Sequence, residues 1–335
     1  MGPLAEKQLD VVGFGALNLD IIYRVASVED AGLEPATEVV GRGDFRALER
    51  RLAREGPPVA VSAGGSAANT VFALARMGLR TGFVGMAGED QEASVLMDGL
   101  GRREDLGISR RGESGRAIIA VDREGERSVT VFPNANDALT FDQVAMGLLS
   151  RARVVHMTPF IGDAPFAAQL EAVRHLPQDV VLTLDPGALY ARRGMKALAP
   201  LISRAKALLL GEDELLELAD EADRATAARR LMGEGVEIVV CKLGSQGIHT
   251  FWEGKESLLR ARKVEVKGDS VGAGDVAAAG FIAGLLANLA PDRCAAVAHG
   301  CAVHSLAGHG RASYPDRAAL TRLFETEREV AGLGK

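Results

Sequence analysis

The strongest constraint on the fold is an alternation of short apolar runs with amphipathic segments. Residues 9–15, 81–85 and 154–157 are apolar runs of strand length, whereas 66–78 and 195–205 carry apolar residues at helical spacing. Apolar strands that alternate with amphipathic helices predict a mostly parallel central sheet with helices on both faces. The sequence therefore predicts an α/β protein with three layers, α/β/α.

Two regions interrupt this alternation. Residues 21–41 and 116–132 have the pattern of strands joined by turns, and GRAIIAV-DREG-ERSVTVF (115–132) is typical of a β-hairpin. We expect a small β layer that stands off the main sheet. We favour the interpretation that this layer is a lid, which covers a ligand site. The alternative is an extension that only packs against a neighbour. Residues 42–58 predict an additional basic amphipathic helix, which we expect to lie at the surface, with a reshaped lid as the alternative.

Composition narrows the functional classes. The 335 residues show no repeat or linker, which predicts one domain over 1–335, and the net charge of −6 argues against nucleic acid or an anionic membrane as partner. The longest apolar run, 276–290, is short for a membrane span, and the N-terminus lacks the apolar core of a signal peptide. The three cysteines and six histidines have no metal-ligand spacing. We expect a cytoplasmic protein with buried thiols.

Three glycine-rich stretches lie at the boundaries of the predicted strands and helices. GFGALN (13–18) lacks the third glycine of a dinucleotide fingerprint, and no GxxxxGK[ST] loop is present, so neither nucleotide motif applies. SAGGSAAN (62–69) places two glycines before a helix and Asn69 one turn into it. This stretch fits a polar ligand site at a helix start, or equally a tight turn capped by Ser66.

DSVGAGD (269–275) is the most informative of the three stretches. Consecutive N–H groups of Gly272, Ala273 and Gly274 can converge on an anion, and the helix that follows adds the positive end of its dipole. Asp275 could simply cap that helix, but an N-cap does not need two preceding glycines. A carboxylate beside an anion nest suits phosphoryl transfer, because it can take the proton of the attacking hydroxyl.

These motifs together resemble the PfkB/ribokinase family of sugar and nucleoside kinases over essentially the whole chain. The family's Asp-Thr-x-Gly-Ala-Gly-Asp corresponds to residues 269–275, with Ser270 in place of threonine. Its Gly-Gly pair with a following asparagine corresponds to Gly64, Gly65 and Asn69, and its early Asn-x-Asp to Asn18-Leu19-Asp20. The resemblance implies a ribokinase-like fold with a β lid.

The resemblance also implies roles for individual residues. Asp275 would be the general base, and Gly272, Ala273 and Gly274 would form the anion hole for the transferring phosphate. The acceptor would be held by Asn18, Asp20, Gly64, Gly65 and Asn69, with Asn136 of PNAND (133–137) as a further pocket candidate. KLGSQG (242–247) resembles the nucleotide loop, which would use Lys242, Gly244 and Gly247; the alternative is a plain hairpin turn.

One departure from the family pattern concerns the metal. Where the family has Asn-x-x-Glu, this chain has Gly211-Glu212-Asp213-Glu214. Glu214 would then serve Mg²⁺ indirectly through water, or these acids would only complement the helix dipole. A monovalent cation, K⁺, near Asp269 is implied by the resemblance alone.

The resulting hypothesis is transfer of the terminal phosphoryl group of a nucleotide, ATP with ADP as an alternative, to a hydroxyl of a small sugar-like acceptor. A nucleoside kinase and a non-catalytic sugar-binding protein are the alternatives. Acceptor identity stays open among pentoses, hexoses, sugar acids, sugar phosphates and nucleosides. Basic residues hint at an anionic acceptor: Lys242, Arg116, Arg192 and Arg193. The resemblance also allows a homodimer joined through the lid.

Overall fold

The computed structural model describes residues 7–34, 37–41, 43–124, 126–261 and 272–330. Its strands are β1 (Leu9–Phe14), β2 (Asn18–Arg24), β3 (Thr37–Val40), β4 (Ala60–Gly64), β5 (Thr81–Ala87), β6 (Leu106–Arg110), β7 (Gly115–Val121), β8 (Arg127–Phe132), β9 (Ala152–Met157), β10 (Val181–Leu184), β11 (Ala205–Gly211), β12 (Ile238–Lys242), β13 (Gly247–Trp252) and β14 (Lys255–Arg260).

Helices cover the sheets and connect the strands. They are α1 (Phe45–Leu52), α2 (Ser66–Arg76), α3 (Glu92–Met97), α4 (Met146–Leu149), α5 (Asp163–His175), α6 (Gly187–Ala191), α7 (Met195–Arg204), α8 (Glu212–Ala219), α9 (Arg224–Gly233), α10 (Ala273–Leu286), α11 (Pro291–Ser305) and α12 (Arg317–Val330). No helix among the described residues is long and apolar enough to cross a membrane.

The larger sheet has the strand order β14-β13-β12-β11-β10-β9-β1-β5-β6. The strands from β12 to β6 run parallel, and only β13 and β14 are antiparallel. All seven residues of β5 are buried, as expected for a strand covered on both faces. The predicted mostly parallel sheet with helices on both sides is confirmed.

The smaller sheet has the order β3-β8-β7-β2-β4 and contains both regions that interrupt the alternation. The predicted hairpin is the antiparallel pair β7 and β8, which runs from Arg116 opposite Phe132 to Val121 opposite Arg127. Helix α1 lies beside this sheet and is solvated except for Phe45 and Leu52, which join the core beneath the sheet. The predicted basic surface helix therefore forms, and its apolar face packs under the small β layer.

Helix α10 occupies the interior, which explains its unusual sequence. Every residue from Val276 to Leu286 is buried, between α2 and α11. A charge within this run would lose its hydration without a partner, which is costly. Helix α10 therefore presents its one polar residue, Asp275, in its first turn.

Candidate active site

A cavity of about 420 Å³ lies between the smaller sheet and the carboxyl ends of the central strands. Parallel α/β sheets place their ligands at this edge. The cavity brings together most of the polar residues that the sequence singles out. Those that line it are Asn18, Asp20, Gly65, Asn69, Asn136, Gly272, Gly274 and Asp275.

Asp275 projects from the start of α10 and is held by α2. The Asn69 side-chain amide donates to Asp275 Oδ2 at 2.9 Å, and the Thr70 hydroxyl donates to the Asp275 carbonyl at 3.1 Å. Burial of the carboxyl, opposed by the Asn69 hydrogen bond, raises the pKa of Asp275 to about 7. A carboxylate with such a pKa is a competent proton acceptor near neutral pH.

The glycine turn before Asp275 is tightly packed on one side and open on the other. Gly272 has φ +75°, and a Cβ there would overlap the Tyr314 hydroxyl, so only glycine fits. Gly274 is exposed, and among the described residues a Cβ there would meet only the Lys242 ammonium, at 3.8 Å. The turn can therefore receive a ligand on the Gly274 side. Asp269, the predicted K⁺ ligand, lies outside the described residues.

The glycine pair lets Asp20 approach the helix that carries Asn69. Gly64 lies opposite Asn18 in the β2–β4 pair, and a Cβ on Gly64 would overlap the Asp20 carboxylate. Gly65 has φ +99° and no room for a Cβ beside the Ala16 carbonyl. The two glycines are thus explained by close packing around Asp20 and by the turn into α2.

Asn136 fixes the loop that leads to Asn18. Its amide donates to the Leu17 carbonyl at 2.9 Å and to Asn18 Oδ1 at 3.0 Å, while its own oxygen accepts from the Leu17 N–H at 3.0 Å. Asn136 is buried and lines the cavity. Its geometry therefore suits holding Asn18 in place as well as contacting a ligand.

Lys242 stands at the end of β12 and points toward Asp275 rather than away from the site. Its ammonium pairs with Asp185, after β10, at 2.5 Å. Burial alone would lower the pKa of Lys242, but the carboxylates of Asp185, Glu214 and Asp275 raise it above its ordinary value. Lys242 therefore stays charged beside the glycine turn. Gly244 and Gly247 lie in the connection between the antiparallel strands β12 and β13, so the hairpin-turn interpretation describes this backbone.

Glu214 folds back onto its own helix. Its Oε2 accepts from the Gly211 N–H at 2.6 Å, which closes the N-terminus of α8. Gly211 has extended backbone, φ −71° and ψ 166°, and a Cβ there would lie 3.4 Å from Glu214 Oε2. Glu214 therefore has a capping role in this structure, and the glycine position has room for a side chain.

Comparison with known proteins decides the family. The sequence profile of the pfkB family carbohydrate kinases matches residues 38–317. The chain belongs to this family. It is therefore a kinase of the sugar and nucleoside kinase class.

Individual relatives differ in what they act on. An uncharacterized sugar kinase of Archaeoglobus fulgidus is 31% identical over 224 residues, 66% of this chain and 89% of that protein. An ATP-dependent ribose-1-phosphate kinase of Halopiger xanaduensis is 27% identical over 324 residues, 95% of this chain and 98% of that protein. A putative ribokinase II from E. coli, solved with ATP and Mg²⁺, has a TM-score of 0.76 at 18% identity and covers 95% of this chain and 99% of its own. That last likeness shows the fold alone.

Four further residues of this kinase's site are not given a role by any of the sequence motifs. Asp185 directly follows β10. Residues after parallel strands often bind ligands, so this position is the signal by which Asp185 can be found in the sequence. Thr158 follows β9 in the same way, and its hydroxyl accepts from the Ala67 N–H at the start of α2. Arg127, in β8, and Arg311, after α11, reach the site from distant parts of the chain, and no local motif marks them.

Proposed function

We propose that this kinase transfers the terminal phosphoryl group of ATP to a hydroxyl of a small sugar-like acceptor, with Asp275 as general base. One observation carries the proposal. Asp275 lies in a cavity lined by Asn18, Asp20 and Asn69, directly beside the glycine turn at the N-terminus of α10. Hydroxyl-binding groups, a proton acceptor and an anion-binding helix start therefore share one space.

The proposed reaction follows from this arrangement. Asp20 accepts from hydroxyls of the acceptor, and the reacting hydroxyl lies against Asp275. As the acceptor oxygen bonds to the γ-phosphorus, the bond to the leaving ADP oxygen breaks and the proton passes to the Asp275 carboxylate. Free N–H groups of Gly272, Ala273 and Gly274 stabilise the charge on the phosphoryl oxygens. We propose that the smaller sheet acts as the lid, and its closure keeps water from competing as acceptor.

The donor side would use Lys242, with Gly244 and Gly247 allowing the nucleotide to approach. Mg²⁺ commonly binds through substrate phosphates, several waters and one or two carboxylates. Glu214 and Asp185, which lie near Lys242, fit such a site through water, because each carboxylate is already engaged by one protein partner. When bound, the metal would neutralise charge on the phosphates. The E. coli structure with ATP and Mg²⁺ supports this donor, while K⁺ at Asp269 rests on the family resemblance.

The acceptor is proposed as a sugar or sugar derivative. The Halopiger enzyme brings a phosphorylated pentose into consideration, and a nucleoside is the alternative. A single catalytic domain over 1–335 and a homodimer joined through the lid are retained as proposals.

The test is a screen of sugars, sugar phosphates, sugar acids and nucleosides with ATP or ADP and Mg²⁺, read as acceptor-dependent nucleotide turnover. Asp275→Asn is the control for turnover that does not use the site. Turnover that depends on one acceptor and disappears in Asp275→Asn is expected. Turnover that persists unchanged in this variant would contradict the proposed base.

A further inference from the structure

The end of the acceptor cavity that Arg127 lines carries a positive charge. Among the described residues that line the cavity, Arg127 is the one cation, and Asp20 and Asp275 are the two carboxylates. Arg127 is exposed, and none of the described side chains forms an ion pair with it. Because Arg127 lines the cavity and its guanidinium is not engaged by a described carboxylate, it can bind an anionic ligand there.

Strand registers fix the order of groups along the lid face. Asp20, Ala117 and Val131 lie side by side in one row, and Ile22, Ile119 and Val129 form the next row. Arg24, Val121 and Arg127 form the third row on the same face. Rows are about 7 Å apart, because alternate residues of a strand share a face. Arg127 nevertheless lines the cavity together with Asp20, so its side chain extends back over the apolar middle row.

A second, larger space continues from this end. It has a volume of about 860 Å³ and shares Asp20, Ile119 and Arg127 with the acceptor cavity. Asp20 and Arg127 therefore border both spaces. The carboxylate of Asp20 repels an anion, whereas the guanidinium of Arg127 attracts one, so the two residues define one orientation for a charged acceptor.

We propose that the acceptor carries an anionic group, a phosphate or a carboxylate, and that Arg127 binds this group while the reacting hydroxyl lies at Asp275. A guanidinium binds either group through two parallel hydrogen bonds. This proposal takes one assumption from the proposed function, namely that this cavity binds the acceptor. Arg127 is then a residue that selects the acceptor.

The experiment measures binding of acceptors by calorimetry without nucleotide. Probes are ribose with ribose 1-phosphate and ribose 5-phosphate, fructose with its 1- and 6-phosphates, and glucose with gluconate. The proteins are wild type, Arg127→Gln and the matched control Arg24→Gln, since Arg24 shares the row of Arg127 but lines only the second space and not the acceptor cavity. The phosphate and carboxylate probes show which anion the site takes.

We expect one anionic sugar to bind at least about tenfold more tightly than its neutral parent, the scale of hydrogen bonds to charged groups. Arg127→Gln should remove this advantage and leave neutral sugars unchanged, and Arg24→Gln should retain it. The proposal is overturned if every neutral parent binds as tightly as its anionic derivative, or if Arg127→Gln weakens both alike. Anionic sugars that bind through Arg127 but support no turnover would count against the proposed function and not against this inference.

Arg311 contacts Asn69, the residue that holds the Asp275 carboxylate, and this contact carries a second inference. Arg311, in the short turn Gly310–Ser313, donates from Nε to Asn69 Oδ1 at 3.0 Å. The Asn69 Nδ2 then donates to Asp275 Oδ2 at 2.9 Å. The Arg311 guanidinium also lies over the Phe72 ring, at 4.8 Å from its centre, which holds its side chain in place.

This chain of donors settles which way the Asn69 amide points. A guanidinium only donates, so the amide oxygen must face Arg311 and the amide NH₂ must face Asp275. With the amide reversed, its oxygen would face a carboxylate and its NH₂ would face a cation. We infer that Arg311 is a positioning residue, which acts through Asn69 to hold the Asp275 carboxylate in the orientation that accepts a proton.

The test compares Arg311→Met, Arg311→Lys and Thr70→Val by the pH dependence of kcat/KM and by thermal melting. Thr70→Val removes another hydrogen bond to the start of α10 but leaves the carboxylate untouched. Burial and the charge of Asp185 raise the pKa of Asp275. The hydrogen bond from Asn69 and the charges of Lys242 and Arg311 lower it. Losing Arg311 should therefore move the ascending limb of the profile to higher pH.

We expect Arg311→Met to lower kcat about tenfold and to shift this limb upward, and Arg311→Lys to restore part of both. Thr70→Val should lower the melting temperature with an unmoved profile. A folded Arg311→Met with the wild-type kcat and pH profile would reduce Arg311 to a structural role. If Arg311→Met does not fold, Arg311→Lys decides: a lower melting temperature with kcat and pH profile both equal to wild type would have the same meaning.

Discussion

The two halves of the active site contrast in how closely they follow the family's sequence pattern. On the acceptor half, Asn18, Asp20 and Asn69 converge with Asp275 in one cavity, and each has a family counterpart. On the donor half, Gly211 replaces the family's asparagine, and Lys242 is paired with Asp185. In the proposed function, the acceptor half would orient several hydroxyls, which requires fixed side chains. The donor half would bind phosphates, which backbone N–H groups and metal-bound water can also satisfy.

The largest effect is expected where the two halves meet. Asp275→Asn should lower kcat by at least about a hundredfold, the scale of lost general-base catalysis. The amide keeps the size of the side chain but cannot take the acceptor's proton. Steady-state turnover at saturating acceptor and nucleotide measures this. Near-normal turnover in the variant would leave Asp275 as a helix cap.

The same substitution should change stability in a pH-dependent way. The pKa of Asp275 is raised from 3.8 to about 7 on folding, so its contribution to stability is present below about pH 4 and is lost as the pH rises through 7. Asp275→Asn should therefore be more stable than wild type at pH 8, by about 4 kcal/mol, and closer to it at pH 5. Denaturant melts at the two pH values test this. Equal stability differences at both would show that the carboxyl titrates normally.

Asp20→Ala should separate the two halves. We expect acceptor affinity to fall by about tenfold or more, the scale of hydrogen bonds to a charged group, with nucleotide affinity unchanged. Titrating each ligand separately measures both. Ser62→Ala is the control, because Ser62 lies opposite Asp20 on β4 and does not line the acceptor cavity. A selective loss of nucleotide affinity in Asp20→Ala would reverse the assignment of the two halves.

The smallest effects are expected on the donor half. Glu214→Gln should raise the Mg²⁺ concentration for half-maximal rate, because a carboxylate attracts a hard cation or its waters more strongly than an amide does. Gly211→Asn should be tolerated, since the backbone is extended and a Cβ fits. Rate against Mg²⁺ at saturating acceptor, beside a thermal melt, measures both.

The alternative for Glu214 is the capping contact seen in the structure. In that case Glu214→Gln costs a few tenths to about 1 kcal/mol of stability and leaves the Mg²⁺ dependence unchanged. An unchanged Mg²⁺ curve would remove Glu214 from the metal site.

Sequence patterns predict the fold well because each central strand and helix has a hydrophobic pattern with the period of its own secondary structure. The parallel sheet and the β7–β8 hairpin are both readable from local runs. Site residues were predictable where they belong to a contiguous motif, as in the glycine turn before Asp275. Arg311 was not predictable, because it reaches Asn69 across 242 positions of the sequence. The position of Arg127 on the cavity side of the smaller sheet depends on the register of the β7–β8 hairpin, which no single-residue pattern specifies.

The complete burial of α10 has a consequence for the timing of local opening. Amide hydrogens exchange with solvent only when their segment opens, and segments packed on all sides open last. Amides in the middle of α10 should therefore be among the slowest to exchange in deuterated water, because opening them disrupts the packing against α2 and α11. Strands β3 and β4, at the edges of the smaller sheet, should exchange early. Asp275 would then be anchored on one of the most persistent segments of the chain, while the smaller sheet, which we propose as the lid, would contain readily opened ones.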